Sequence, residues 1–166
     1  MQPSPSSETA NPCPSVLVSI SSRCQTECRL RVSYDAAMSD YAIQNIKDLE
    51  DSAVKFGLSP QVEARFGRTA LDAQKSGFSY QRFQAGFRQP FGHVHKEQEE
   101  TYVIVSGSGR MKIGDEVVDL KQWDAIRVAP GTPRAFEAGD DDLELVAFGA
   151  GESGDADMLE DFWPAD

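Results

Sequence analysis

Between Ser59 and Phe148 the apolar residues recur in short runs with a period of two, and each run is closed by Gly, Pro or Asp. Alternate side chains of a strand share one face, so this pattern predicts half-buried β-strands. Val62, Ala64 and Phe66 alternate with polar neighbours, and Phe78, Tyr80 and Phe83 recur ahead of Ala85-Gly86. A histidine-bearing strand and a strand from Glu100 to Ser106 come next, before the turn signal Ser106-Gly107-Ser108-Gly109. Further strands are predicted over Arg110 to Ile113, Glu116 to Leu120, Ala125 to Val128, Arg134 to Ala138 and Leu143 to Phe148, separated by Gly114-Asp115, by Lys121 to Asp124, by Pro130 to Pro133 and by Asp140 to Asp142. Many short strands at regular spacing indicate an all-β sandwich or barrel.

The period changes on either side of this block. Ile46, Leu49, Ala53 and Phe56 fall at spacings of three and four, which predicts a short amphipathic helix over 45–56 with Gly57 as its stop. Residues 1–37 show neither period and begin rich in Ser and Pro. Their one apolar patch, Ser15 to Ile20, is too short for a signal-peptide core, and no Lys or Arg precedes it. The segment reads as a disordered extension, or as sequence upstream of an alternative start at Met38. The acidic end holds Met158, Leu159, Phe162 and Trp163, and no Lys or Arg follows Arg134. It is expected to fold back and lay Phe162 and Trp163 on the barrel. The expected layout is therefore an extension over 1–37, a helical lead-in over 38–58, a barrel over 59–150 and a packed tail over 151–166.

Composition narrows the class. The chain has 166 residues, 40% of them apolar, enough for one domain with a core. A formal net charge of −11 repels phosphate backbones and acidic membrane surfaces, which argues against nucleic-acid and membrane partners. No apolar run approaches the roughly 18–20 residues that a membrane span needs. A cytoplasmic protein is expected. Cys13, Cys24 and Cys28 are an odd set clustered before the strands, and read as incidental rather than as a disulfide framework or zinc site.

Candidate chemistry is concentrated in Gly92-His93-Val94-His95, followed by Glu100. These are the protein's two histidines. At i and i+2 on a strand they converge on one point, and Glu100 can return to it from the next strand. Two imidazoles and a carboxylate on one face form the facial triad that binds a divalent metal and leaves open positions.

The His-x-His pair, the four-residue interval to Glu100 and the six-residue interval to Gly107 resemble the first motif of the cupin superfamily. Gly86 lies one residue further upstream than that motif's leading glycine. The second motif, ending in Pro-x-Gly-x-x-His, corresponds to Pro130-Gly131-Thr132-Pro133-Arg134, so Arg134 stands where the family has its fourth ligand and Ala138 where it has Asn. The resemblance covers roughly residues 60–150 and is to small single-domain cupins. It implies a double-stranded β-helix, a jelly-roll barrel with the site in its mouth, and it implies no single reaction.

Arginine has no lone pair to give a metal. The resemblance thus implies a 2-His-1-Glu centre of His93, His95 and Glu100, for Fe, Mn, Ni or Zn. Arg134 either orients a small anionic ligand beside the metal or pairs with Glu100 in the metal's place. Tyr102 shares Glu100's face and either contacts the ligand or fills the barrel. Arg88 is expected in a surface ion pair, Phe136 in an apolar wall, and Trp123 packed. Three functions follow: a metal-dependent oxygenase or isomerase; a metal-free module that binds or senses a sugar or organic acid; and a metal-free sugar-nucleotide epimerase with a histidine base. A homodimer through a sheet face is also expected, and Val103 and Val105 are expected to lie under another layer, which is a second copy, the second sheet, the N-terminal helix or the tail.

Overall fold

The computed structural model describes residues 40–152 and 154–163. The cysteines and the expected extension lie outside the described residues. The chain divides into Met1–Ala37 and Met38–Asp166, and the described residues all lie in the second unit.

Ten strands are present among the described residues: β1 (Val62–Phe66), β2 (Gly77–Phe83), β3 (Phe91–His95), β4 (Glu100–Ser106), β5 (Ser108–Ile113), β6 (Glu116–Lys121), β7 (Ala125–Val128), β8 (Arg134–Ala138), β9 (Leu143–Gly149) and β10 (Ala156–Glu160). They form two five-stranded sheets, ordered β1-β2-β9-β4-β7 and β10-β3-β8-β5-β6, with antiparallel pairing throughout. The expected all-β jelly roll is borne out. Strand bounds differ from those read in the sequence by a residue or two, because ladders run on into the turns.

The core is the interior face of both sheets. Tyr102 and Ile104 of β4, Leu143, Leu145 and Ala147 of β9, Met111 of β5 and Phe136 of β8 are each 1% exposed or less. The intervening residues of β4 and β9 face outward, as the period of two requires. Phe136 stacks on Phe83 at 5.8 Å between centroids and meets Tyr102 edge-on at 5.0 Å, so aromatic rings bridge the two sheets.

The helical lead-in comes in two 3-10 pieces, Ile46–Asp48 and Ser52–Phe56, rather than as one α-helix. The side chains of Asn45 and Asp51 each accept the backbone N–H two residues ahead, which competes with helix propagation. Asp51 also accepts the Ala64 N–H of β1 and so ties the lead-in to the sheet. Phe56, expected on the packed face, is 76% exposed, because the break at Leu49 resets the helical phase. Gly57 ends the second piece in the left-handed region, as expected.

Two other expectations meet different outcomes. Trp123 does not pack: it is 71% exposed, at φ 72 in the turn between β6 and β7. The turn links the edge strands of the two sheets, and Trp123 lies in it outside both ladders. Residues 156–160 of the tail form β10, which pairs with β3 over its whole length. Beyond it the Phe162 ring lies over Gly92, where an added Cβ would come within 2.6 Å of the ring. Among the described residues no helix is long and apolar enough to cross a membrane.

Gly107 joins β4 to β5 at φ +74, and a Cβ there would stand 1.9 Å from the Asp142 carbonyl oxygen. Gly114, at φ +59, has nothing within 4 Å of the same position. Gly114→Ala is expected to lower unfolding free energy by about 1 kcal/mol, the left-handed penalty alone. Gly107→Ala adds a backbone collision and is expected to exceed about 2 kcal/mol. Urea denaturation of the two variants checks the difference.

Candidate metal centre

The site is assembled by three strands and one short loop. β3 carries His93 and His95 on the face toward the barrel interior, and β4 begins at Glu100 after a four-residue loop. β8 lies beside β3, with Arg134 directly opposite His93 in register. The arginine that replaces the expected fourth ligand therefore enters the same cluster.

Glu100 Oε2 is the focus. It lies 3.5 Å from His93 Nε2 and 3.3 Å from His95 Nε2. Arg134 Nη2 donates to it at 2.7 Å, and the Tyr102 hydroxyl donates to it over a short contact. Tyr102 in turn accepts from Arg134 Nε at 2.9 Å, while Nη1 donates to the Thr132 carbonyl at 3.0 Å. All three guanidinium nitrogens are thus engaged within the protein, and Arg134 is fully buried. Tyr102 is likewise 0% exposed.

The electrostatics follow from this packing. Burial opposes ionisation of Glu100, but hydrogen bonds from His93, Tyr102 and Arg134 outweigh it and hold its carboxyl down at about 2. Burial pushes His95 below its usual value, and the positive charge of Arg134 adds to that, so near neutral pH the ring has a lone pair to give. Tyr102 is pushed well above the ordinary phenol value, first by burial and then by the Glu100 charge, and stays a donor.

His93, His95 and Glu100 each offer a ligand atom within 4.8 Å of the others. Two ligands at right angles on a cation at about 2.1 Å stand about 3 Å apart, close to the separations between Glu100 Oε2 and the two imidazoles. The donor set therefore fits a divalent cation. Arg134 holds the same Oε2, but a carboxylate has two oxygens and can serve a guanidinium and a cation together.

Of the residues picked from the sequence, His93, His95, Glu100, Tyr102 and Arg134 converge on one point. Phe136 is in the wall beneath Tyr102. Arg88 lies outside, paired to Glu137 at 3.3 Å. Two residues at the site were not picked. Gln98, in the loop before Glu100, brings its side-chain amide 3.4 Å from His95 Nε2 and packs into the space left by Gly149 and Gly151. Asp155 reaches His95 from the tail, with Oδ2 3.3 Å from Nδ1. Gln98 was legible in principle, as a polar residue between two candidate ligands. Asp155 was one acid among many in an acidic tail.

Two sheets of five strands, closed over a His-His-Glu cluster, define a double-stranded β-helix of the jelly-roll type. Residues 79–149 match the family model for the cupin domain, and the chain carries a cupin domain, as the His-x-His and Glu100 spacing implied. Among solved structures it is similar to a cupin protein from Bacteroides fragilis, at 24% identity and TM-score 0.57, covering 70% of this chain and 89% of that one. It is also similar to the polyketide cyclase RemF from Streptomyces resistomycificus, at 17% identity and TM-score 0.60, covering 75% and 88%. A third is the oxalate decarboxylase of Bacillus subtilis, at 19% identity and TM-score 0.58, where 71% of this chain matches 33% of that one. These likenesses establish the fold. No curated protein matches the chain.

The buried pair of Arg134 and Glu100 yields a stability prediction. Glu100→Ala leaves a guanidinium in the core without its carboxylate, and is expected to destabilise the metal-free protein by about 3–5 kcal/mol. The sign with pH agrees: a carboxyl held below its unfolded value contributes stability above that value and loses it as pH falls toward about 2. Urea titrations in chelator check this, and a loss under about 1 kcal/mol would mean the pair does not hold Arg134 in place.

Proposed function

We propose that this chain is a small cupin-domain protein that binds a divalent metal through His93, His95 and Glu100 and takes a small anionic molecule at that centre. The observation that carries the reading is the convergence of Glu100 Oε2 with the Nε2 atoms of both histidines, at 3.5 and 3.3 Å. A bound metal would supply Lewis acidity, polarising an oxygen of the ligand. The protein's own groups do the rest. Arg134 and Tyr102 hold the Glu100 side chain in one orientation, and burial keeps His95 neutral as a donor. The Arg134 charge is balanced by Glu100, so the charge of a bound cation is what would favour an anion over a neutral ligand nearby. Metal-assisted oxidation and isomerisation of a small carboxylate are the reactions to assay first.

A second reading rests on one specific contact. Arg134 Nη2 is 2.7 Å from Glu100 Oε2, a distance at which the ion pair itself can close the site. In that reading the barrel binds a sugar or organic acid without metal.

Elemental analysis and thermal shift separate the two. The metal reading expects about one metal per chain in the purified protein, and stabilisation near 2.7 kcal/mol at a hundredfold excess of metal over Kd. Glu100→Gln, which keeps acceptors for Arg134, is expected to lose both. A protein without stoichiometric metal, whose Tm is unmoved by Fe(II), Mn(II), Ni(II) or Zn(II), overturns the metal reading. In that case Arg134→His is expected to create metal affinity that the parent lacks.

A further inference from the structure

We propose that Asp155 is a positioning residue for this centre, acting on the metal ligand His95 from a segment of the chain outside the matched cupin domain. The inference rests on the metal reading above.

Asp155 stands just before β10, in which Ala156 pairs with His95. Its carboxylate accepts three consecutive backbone N–H groups of the ligand loop: Lys96 at 3.2 Å and Glu97 at 3.2 Å on Oδ1, and Gln98 at 2.9 Å on Oδ2. The Lys96 N–H also reaches the Asp155 carbonyl at 3.3 Å. The loop that sets the distance from His95 to Glu100 is thus bound from outside by one side chain. The same Oδ2 lies 3.3 Å from His95 Nδ1, a nitrogen that is buried and makes no aligned hydrogen bond.

Those two facts fit together once His95 donates through Nε2. A neutral imidazole that gives one nitrogen to a metal carries its proton on the other. A buried N–H then needs an acceptor, and a small rotation of the ring brings Nδ1–H onto Asp155 Oδ2. A carboxylate on the far nitrogen fixes the tautomer, orients the ring and raises its basicity as a ligand. Holding the Lys96–Gln98 backbone does the same for the Glu100 side of the centre.

The test uses the full chain and Zn(II), measured by calorimetry with a competing chelator, on wild type, Asp155→Asn and Asp155→Ala. Asp155→Asn keeps an oxygen for the loop amides and is expected to stay folded. Both variants are expected to bind Zn(II) about 10- to 100-fold more weakly than wild type. A purely structural role would not move the second readout, the imidazole 15N–1H spectrum of the Zn(II)-loaded protein. There His95 is expected to show a protonated Nδ1 with a downfield, slowly exchanging proton in wild type, shifted upfield or lost in Asp155→Asn. If wild type binds Zn(II) and Asp155→Asn matches it in affinity and in that resonance, the Asp155 inference falls while the metal reading stands. A rapidly exchanging Nδ1 proton in loaded wild type overturns the inference without any variant. Wild type that takes up no Zn(II) overturns the metal reading itself.

Discussion

A guanidinium with no solvent exposure needs a counter-charge, and in this barrel Glu100 supplies it. That requirement organises the surroundings. Arg134 is fixed by Glu100, Tyr102 and Thr132, and through them β8, β4 and the turn before β8 are joined at one point. Both histidines of β3 then face a carboxylate that is already ionised and already oriented. The orientation of Glu100 is therefore set by folding, through Arg134 and Tyr102.

The barrel was legible in the sequence because its rules are local. A period of two with turn residues at the joints states which segments are strands and which face is inward, and Tyr102, Ile104, Leu143 and Leu145 are where that rule puts them. The lead-in was legible as helical but not as broken. Its outcome depends on Asn45 and Asp51 competing for backbone N–H groups, and the Asp51 side chain is settled by its bond to Ala64 of a different element. Trp123 was misread because its turn adopts a positive φ that a bulky residue seldom takes.

The site was legible to the extent that its parts are close in sequence. His93, His95 and Glu100 lie within one motif, and Arg134 was visible as a departure from a second. The direction in which Arg134 points was not visible, since it is decided by the register of β8 against β3. Asp155 was the least visible of all: it meets Gln98 across 57 residues of sequence, and nothing local distinguishes it from its acidic neighbours. Contacts that depend on sheet register and chain return are tertiary facts, whatever the residue types involved.

β10 also changes what the molecule presents to others of its kind. Without it, the histidine-bearing strand β3 would be the rim of its sheet, with a row of open amides and carbonyls beside the histidines. With it, the rim is a strand carrying Asp157 and Glu160, both exposed, on a protein whose net charge is already −11. Two copies joining rim to rim would have to bring those carboxylates together. The exposed carboxylates of β10 thus disfavour growth of the sheet by addition of further chains, at the edge where such growth would run alongside the two histidines.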